Sequence, residues 1–257
     1  FFQPGEEHGA GGEPMAAGGH LDDVDYLLAL HVGLDHPTGE VVAGVGGFLA
    51  VSDFEATFHG ESAHAGGHPA RGRHAVGAVA TAVTNLHAIP RHEDGATRVN
   101  AGRVEGGTAS NVVPDRATLE GEVRGETTAL MEYMDEHAER VVRAAAEMHD
   151  CELDFDRGSR APSAESDDEL ADLVADVAAD VPGVTSLLER DDLGGSEDAT
   201  YLMRRVQERG GKACYVDVGT DHPGGHHTPT FDVDEDTLPL AVELLARAVV
   251  EAARTRP

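Results

Sequence analysis

Two adjacent carboxylates, Glu6 and Glu7, follow the run Phe1-Phe2-Gln3-Pro4-Gly5. Side by side they repel unless a cation or a proton separates them. Phe1 to Pro4 reads as the end of a buried strand, the place where open α/β sheets put their ligands. There one glutamate could bind a metal while its neighbour takes a proton from water. Such a pair on its own is as a rule a solvated surface feature. Imidazole is the next candidate donor. His31 ends the apolar run Asp25 to Val32, a position where a lone histidine is more often a hydrogen-bonded core residue than a ligand. His226-His227 stands between Gly224-Gly225 and Thr228-Pro229, in a loop leading to the last helix, and flexible glycines would let imidazole reach a metal. The chain has 15 histidines, so the pair alone decides nothing.

Other polar groups sit at bends. Gly195-Ser196-Glu197-Asp198 reads as a helix start, with Ser196 as cap and acids in the first turn. Its functional alternative is a cradle of backbone amides, around Gly195 and Ser196, for a substrate carboxylate. His64 lies in Ser62-Ala63-His64-Ala65-Gly66, and Asn111 lies in the Gly106 to Pro114 segment; both also suit turns. Arg124 closes a strand and could fork onto a carboxylate, an ordinary surface ion pair being the alternative. Neither a Gly-x-Ser-x-Gly elbow nor a phosphate loop is present.

Hydrophobic periodicity supplies the elements that must carry these groups. Asp25 to Val32 is nearly all apolar, as expected of a strand in a mostly parallel sheet buried on both faces. From about Gly47 the segments alternate, as in Val51 to Phe58 and Thr97 to Val104, which suits an antiparallel sheet with one wet face. Helices are expected over 73–89 and 127–148, and a strand over 118–124. The resulting order of strand, helix, strand, strand, helix, strand is the ferredoxin-like one. After Gly158 the pattern returns to helices over 167–179 and 197–207, a strand over 213–218 and an amphipathic helix over 238–253. The expected organisation is therefore an α/β domain formed by residues 1–46 and 159–257, with residues 47–158 inserted.

Composition bounds the rest. The chain has 257 residues, 40% of them hydrophobic, enough for a sizeable core. Its 48 acidic residues outweigh 19 basic ones for a formal charge of −29, which argues against nucleic acid as a partner. Lys212 is the single lysine, and acids such as Asp167, Asp168, Asp172 and Asp176 share a helix-like polar face. A lysine-poor, acid-rich surface of this kind resembles proteins of salt-loving organisms. Cys151 and Cys214 stand far apart and read as small apolar residues. No run reaches the ~20 apolar residues of a membrane span, and a cytoplasmic protein is expected. Because Phe1 opens in what reads as a strand end, an upstream part is expected too.

Taken together, several segments resemble the zinc peptidase-like amidohydrolases, the family of aminoacylases, carboxypeptidase G and indole-acetyl-amino-acid hydrolases. They are Phe2-Gln3-Pro4-Gly5-Glu6-Glu7, Val24-Asp25-Tyr26 with Leu30-His31, Ala63-His64-Ala65-Gly66-Gly67 and Leu86-His87-Ala88-Ile89-Pro90. Asn111-Val112-Val113-Pro114, Gly195 to Thr200 with Arg205-Val206-Gln207, and Gly225-His226-His227 complete the series over essentially the whole chain. The resemblance implies Glu6 as general base and Glu7, His31 and His227 as ligands of two divalent ions, zinc or manganese. It implies that His64, Asn111 and Arg124, on an inserted lid and dimerisation domain, meet the substrate's carbonyl and carboxylate, in part across a dimer interface. Gly5 stands where the family usually has alanine, and the family's upstream cysteine and histidine ligands have no counterpart in this chain. The implied reaction is cleavage of the amide bond of N-acyl or N-aroyl amino acids, such as p-aminobenzoyl-glutamate, by a homodimer or by a heterodimer with a related partner chain. Alternatives are a general aminoacylase, an indole-acetyl-aspartate hydrolase, and a non-catalytic assembly subunit.

Overall fold

The structure is a computed structural model and describes residues 2, 3, 5, 11–221 and 228–255. Two compact units divide the chain: residues 1–48 with 164–257, and residues 49–163.

The first unit begins with α1 (Gly12–Ala17), β1 (Tyr26–Gly33) and β2 (Glu40–Gly46). The second unit then runs β3 (Ala50–His59), β4 (Ala63–His64), α2 (Ala75–Leu86), β5 (Thr97–Gly106), β6 (Val112–Val113), β7 (Arg116–Gly125), α3 (Thr128–Met148) and β8 (Glu152–Ala161). The chain returns to the first unit with α4 (Asp168–Ala178), β9 (Ser186–Leu188), β10 (Asp191–Asp192), α5 (Ala199–Glu208), β11 (Lys212–Gly219) and α6 (Thr237–Thr255).

In the first unit the sheet order is β1-β11-β2-β10, with β9 also on β2. β1 and β11 are parallel, and β2 runs antiparallel to β11 while β9 and β10 run parallel to β2. Helices cover both faces. Val41, Ala43, Cys214, Val216 and Val218 pack with α4 and α6. The alternate residues Val42, Ala213 and Tyr215 pack with α1 and α5. Burial on both faces removes the polar half of the period-two pattern, so β11 reads as apolar from Ala213 to Val218 save for Asp217.

Two expected strands differ from the pattern here, and one strand appears that was not expected. Phe2 is fully exposed, and neither it nor Gln3 joins a strand. β1 is half-buried over most of its length, since among the described residues it has a strand partner on one side only. β2 has no counterpart in the sequence reading, because Gly44 and Gly46 depress its strand propensity. Gly44 is needed there: a Cβ would stand 2.7 Å from that of Ala171 on α4.

The second unit is one four-stranded antiparallel sheet in the order β5-β7-β3-β8. Helices α2 and α3 cover one face, burying Phe54, Ala56, Phe58, Leu119 and Val123 with Val79, Met131 and Met134. The other face is polar. Thr127 caps α3, its hydroxyl accepting from the Leu130 N–H at 3.3 Å. Cys214 is buried, whereas Cys151 is half-buried at the start of β8. Among the described residues no helix is long and apolar enough to cross a membrane.

Candidate functional site

His31 stands near the carboxyl end of β1, in register with the buried Asp217 of the parallel neighbour β11. Its Nδ1 lies 2.9 Å from the Val32 carbonyl oxygen, which can only accept, so Nδ1 carries a hydrogen and, in the neutral ring, the lone pair is on Nε2. The ring stacks on Tyr215 at 6.4 Å between centroids and 24° between planes, and Tyr215 is held edge-on by Phe48 at 5.0 Å. An imidazole oriented by an Nδ1–H bond to a carbonyl, with Nε2 as the donor atom, is the form that binds a divalent ion, and His31 fits that role.

The segment after β11 is tied to the same end of the sheet. The Thr220 N–H donates to the Gly33 and His36 carbonyls at 3.3 and 3.1 Å, and the Asp221 N–H donates to His36 at 3.0 Å. On the far side of residues 222–227 the Asp234 N–H donates to the Thr220 hydroxyl at 2.6 Å. Both flanks of the stretch that includes His227 are thus anchored beside the carboxyl ends of β1 and β11. His227 itself, with His226, Glu6 and Glu7, lies outside the described residues. Among the described residues no group of three or more histidine, cysteine or acidic side chains is placed to hold a metal.

A groove of about 1060 Å³ lies elsewhere, at the amino ends of β1 and β11, between Tyr26, Lys212 and the acids Glu169, Asp172 and Asp176 of α4. Strand-end chemistry in open α/β sheets belongs to the other, carboxyl end, so this acidic groove is apart from the candidate site.

At the start of α5 the structure corrects the sequence reading. The cap position is Asp198, not Ser196; the helix begins at Ala199, and no acid falls in its first turn. Asp198 leaves its own helix uncapped because its carboxylate is drawn to the unpaired N–H groups that open α1, accepting from Gly11 at 3.0 Å and Gly12 at 2.8 Å. Gly195 and Ser196 lie upstream of the helix, half-buried.

In the second unit the fold brings His64 and Asn111 together. β4 and β6 pair antiparallel with His64 opposite Val112, and the Ala65 N–H donates to the Asn111 carbonyl at 2.9 Å. His64 Nδ1 accepts from the N–H groups of Gly66 and Gly67 at 3.1 and 2.9 Å, which leaves the ring hydrogen on Nε2. His64 is therefore a neutral donor, exposed, on a short rigid bend. The two glycine N–H groups went unnoticed in the sequence, although a histidine two and three residues before a Gly-Gly pair is the signal for them.

Arg124 is not brought to this pair. It forks onto Glu122 of its own strand, with Nε–Oε1 and Nη2–Oε2 both 2.9 Å, and that carboxylate, aided by Asp53, raises the guanidinium above its ordinary value. Arg124 pairs with Val51 near the start of β3, whereas the β4–β6 ribbon continues the β3–β7 ladder past its other end at His59. At ~3.4 Å per residue those two levels are roughly 27 Å apart.

The sequence profile of peptidase family M20/M25/M40 matches residues 1–251. The chain belongs to this family. Among M20 relatives, it is 44% identical over 247 residues to the indole-3-acetyl-aspartic acid hydrolase of Enterobacter agglomerans, covering 96% of this chain and 57% of that protein. Identity to one of the subunits of p-aminobenzoyl-glutamate hydrolase from Escherichia coli is 40% over 257 residues, covering 100% of this chain and 59% of that one. The chain thus spans less than two thirds of the length of these relatives. The crystal structure of the aminobenzoyl-glutamate utilization protein from Klebsiella pneumoniae superposes with a TM-score of 0.86 at 41% identity, over 97% of this chain and 60% of that one. A dinuclear metal binding M20 peptidase of Bacillus subtilis shares the fold at a TM-score of 0.73 and 24% identity, over 99% of this chain and 65% of that one.

Proposed function

We propose that this protein is a metal-dependent amidohydrolase that cleaves the amide bond of N-acyl or N-aroyl amino acids, with p-aminobenzoyl-glutamate and indole-3-acetyl-aspartate as the leading substrates. The observation that carries the reading is the setting of His31: Nε2 is kept as the donor atom at the carboxyl end of β1, in a chain 40% and 44% identical to two relatives named as hydrolases of those compounds.

Glu7, His31 and His227 would hold divalent ions, zinc or manganese, both of which accept a shell of imidazole and carboxylate. When bound, the ions would polarise the amide carbonyl and acidify the attacking water. Glu6 would take the proton from that water and pass it to the leaving nitrogen. His64, with its hydrogen on Nε2, would donate to the carbonyl oxygen as negative charge grows there, and the Asn111 amide would add a second donor. Arg124 would exchange Glu122 for the substrate's carboxylate, with the Gly195 and Ser196 backbone as a further carboxylate contact.

Arg124 at one end of the four-stranded sheet and His64 on the ribbon past its other end are too far apart for one small substrate to reach both in a single chain. This supports a dimer, with residues 47–158 as lid and dimerisation domain. Its partner would be a second copy or a related chain, in keeping with two relatives that are named as one component of a hydrolase of several subunits. Two cysteines without a disulfide support a reducing, cytoplasmic setting.

The test is hydrolysis of both compounds by the full-length protein with added Zn²⁺ or Mn²⁺. Metal-dependent turnover is expected, reduced about 10²- to 10⁴-fold in Glu6→Gln. No turnover of any N-acyl amino acid despite bound metal would leave the reading of a non-catalytic assembly component instead.

A further inference from the structure

We propose that Asp198 is a positioning residue for Glu6 and Glu7, its carboxylate anchoring the chain on both sides of them. Gln3 precedes that pair, and its side-chain amide donates to Asp198 Oδ1. Gly11 and Gly12 follow the pair, and their N–H groups donate to Asp198 Oδ2 at 3.0 and 2.8 Å. One carboxylate, 195 residues from Gln3 and 186 from Gly12 in sequence, thus fixes both ends of the stretch that carries the general base and a candidate ligand.

The anchor is built for rigidity. Asp198 is 2% exposed, so water does not compete for its oxygens, and hydrogen bonds to an ionised acceptor are roughly twice as strong as neutral ones. It sits on α5, which is set in the core by Leu202, Met203 and Val206 and tied to the turn before β1 by Arg205 Nε to Asp22 Oδ1 at 3.1 Å. Gly12 completes the contact. A Cβ there would stand 2.0 Å from the Asp198 carbonyl oxygen, so only glycine lets the first residue of α1 reach the carboxylate. A base and a ligand on adjacent residues must be held to within about 0.5 Å for catalysis, and supporting hydrogen bonds on either side of them serve that end.

What the anchoring is for rests on the hydrolase reading; the anchoring itself does not. The test compares full-length wild type with Asp198→Asn, which keeps the shape but turns one acceptor into a donor. Gly12→Ala attacks the contact from the other side, and Gln3→Met removes one donor without touching the core. Hydrogen exchange at Gly11 and Gly12 is read by mass spectrometry, Zn²⁺ affinity by equilibrium dialysis, and kcat and KM on p-aminobenzoyl-glutamate. In Asp198→Asn and Gly12→Ala the two amides should exchange at least ~10-fold faster, kcat should fall about 10- to 100-fold with KM nearly unchanged, and Zn²⁺ should bind more weakly. Gln3→Met should move kcat and Zn²⁺ affinity the same way by less. Variants whose amides are freed while kcat and Zn²⁺ affinity stay at wild-type values would overturn the proposal, as would unchanged exchange in Asp198→Asn. If wild type cleaves no N-acyl amino acid, the hydrolase reading falls, and exchange with Zn²⁺ affinity still decides the anchoring.

Discussion

The two sheets of this protein differ in what their faces meet. In the first unit, β2 and β11 are covered on both sides, so consecutive residues such as Val41 and Val42 enter two different cores. In the second unit one face of the sheet meets helices and the other meets solvent. Chemistry is displaced accordingly. A sheet buried on both faces leaves only its strand ends for polar work, and His31 stands at such an end. A half-covered sheet can extend a ribbon into solvent, and that is where His64 and Asn111 sit. Charge follows the same division. On the wet face Asp156, Glu55 and Glu120 line up across three strands, relieved at one end by Arg103 on Glu120 at 2.6 Å. Like charges directly opposite destabilise a sheet, so part of the −29 formal charge is held against the fold there.

The contrast predicts a graded series of effects. Phe58→Ala should cost about 3–5 kcal/mol, whereas Glu55→Ala, on the opposite face of the same strand, should stay within about 0.5 kcal/mol. In β2 no such silent position is expected: Val41→Ala and Val42→Ala, one on each face, should each cost about 2 kcal/mol. Urea unfolding checks all four, and a harmless Val42→Ala would refute double-sided burial. Next comes the ribbon. Gly67→Pro removes one N–H that fixes the His64 ring, and should lower kcat about 10-fold without changing stability of the first unit. Steady-state kinetics beside hydrogen exchange separates the two effects.

Smaller again is the salt response of the wet face. Raising NaCl from 0.1 to 1 M shortens the Debye length from about 10 to 3 Å, so exchange-protected β3 amides should gain protection, and Glu55→Gln should weaken that gain by about 0.2–1 kcal/mol. The smallest effect lies at the end of the first unit's sheet. Hydrogen bonds from Ser186 and then His36 hold the Glu40 carboxyl below its usual 4.5. A carboxyl lowered in the folded state contributes stability that is complete above the unfolded value and is lost as pH falls through the folded one. Glu40→Gln should therefore lower stability above about pH 4.5 by a few tenths of a kcal/mol and converge on wild type in stronger acid. Acid titration of urea midpoints reads this directly.

Most helices and long strands were legible from periodicity because their patterns are local: the expected 127–148 and 75–86 core of 73–89 appear as α3 and α2. β2 was not legible, since its glycines make sense only against Ala171 of α4. Among site residues, His31 and His64 could be named from their motifs, yet their tautomers could not, because those depend on where Val32, Gly66 and Gly67 point their backbones. Ser196 looked like a cap because Ser before acids is a sound local rule. It fails here because the helix opens at Ala199, two residues later than the local pattern suggests, with Asp198 in the cap position.

By itself, then, the order of residues determined most of the helices and long strands, and which side chains have metal-binding or proton-donating chemistry. Tertiary structure alone decided that Asp198 serves Gly11 and Gly12, and that Arg124 stands at one end of the four-stranded sheet while His64 lies on a separate two-stranded ribbon past the other. The reason is range. Periodicity and capping act within a few residues, whereas a carboxylate's partner and a strand's register are settled by which distant donors and apolar faces the folded chain brings within a few ångströms.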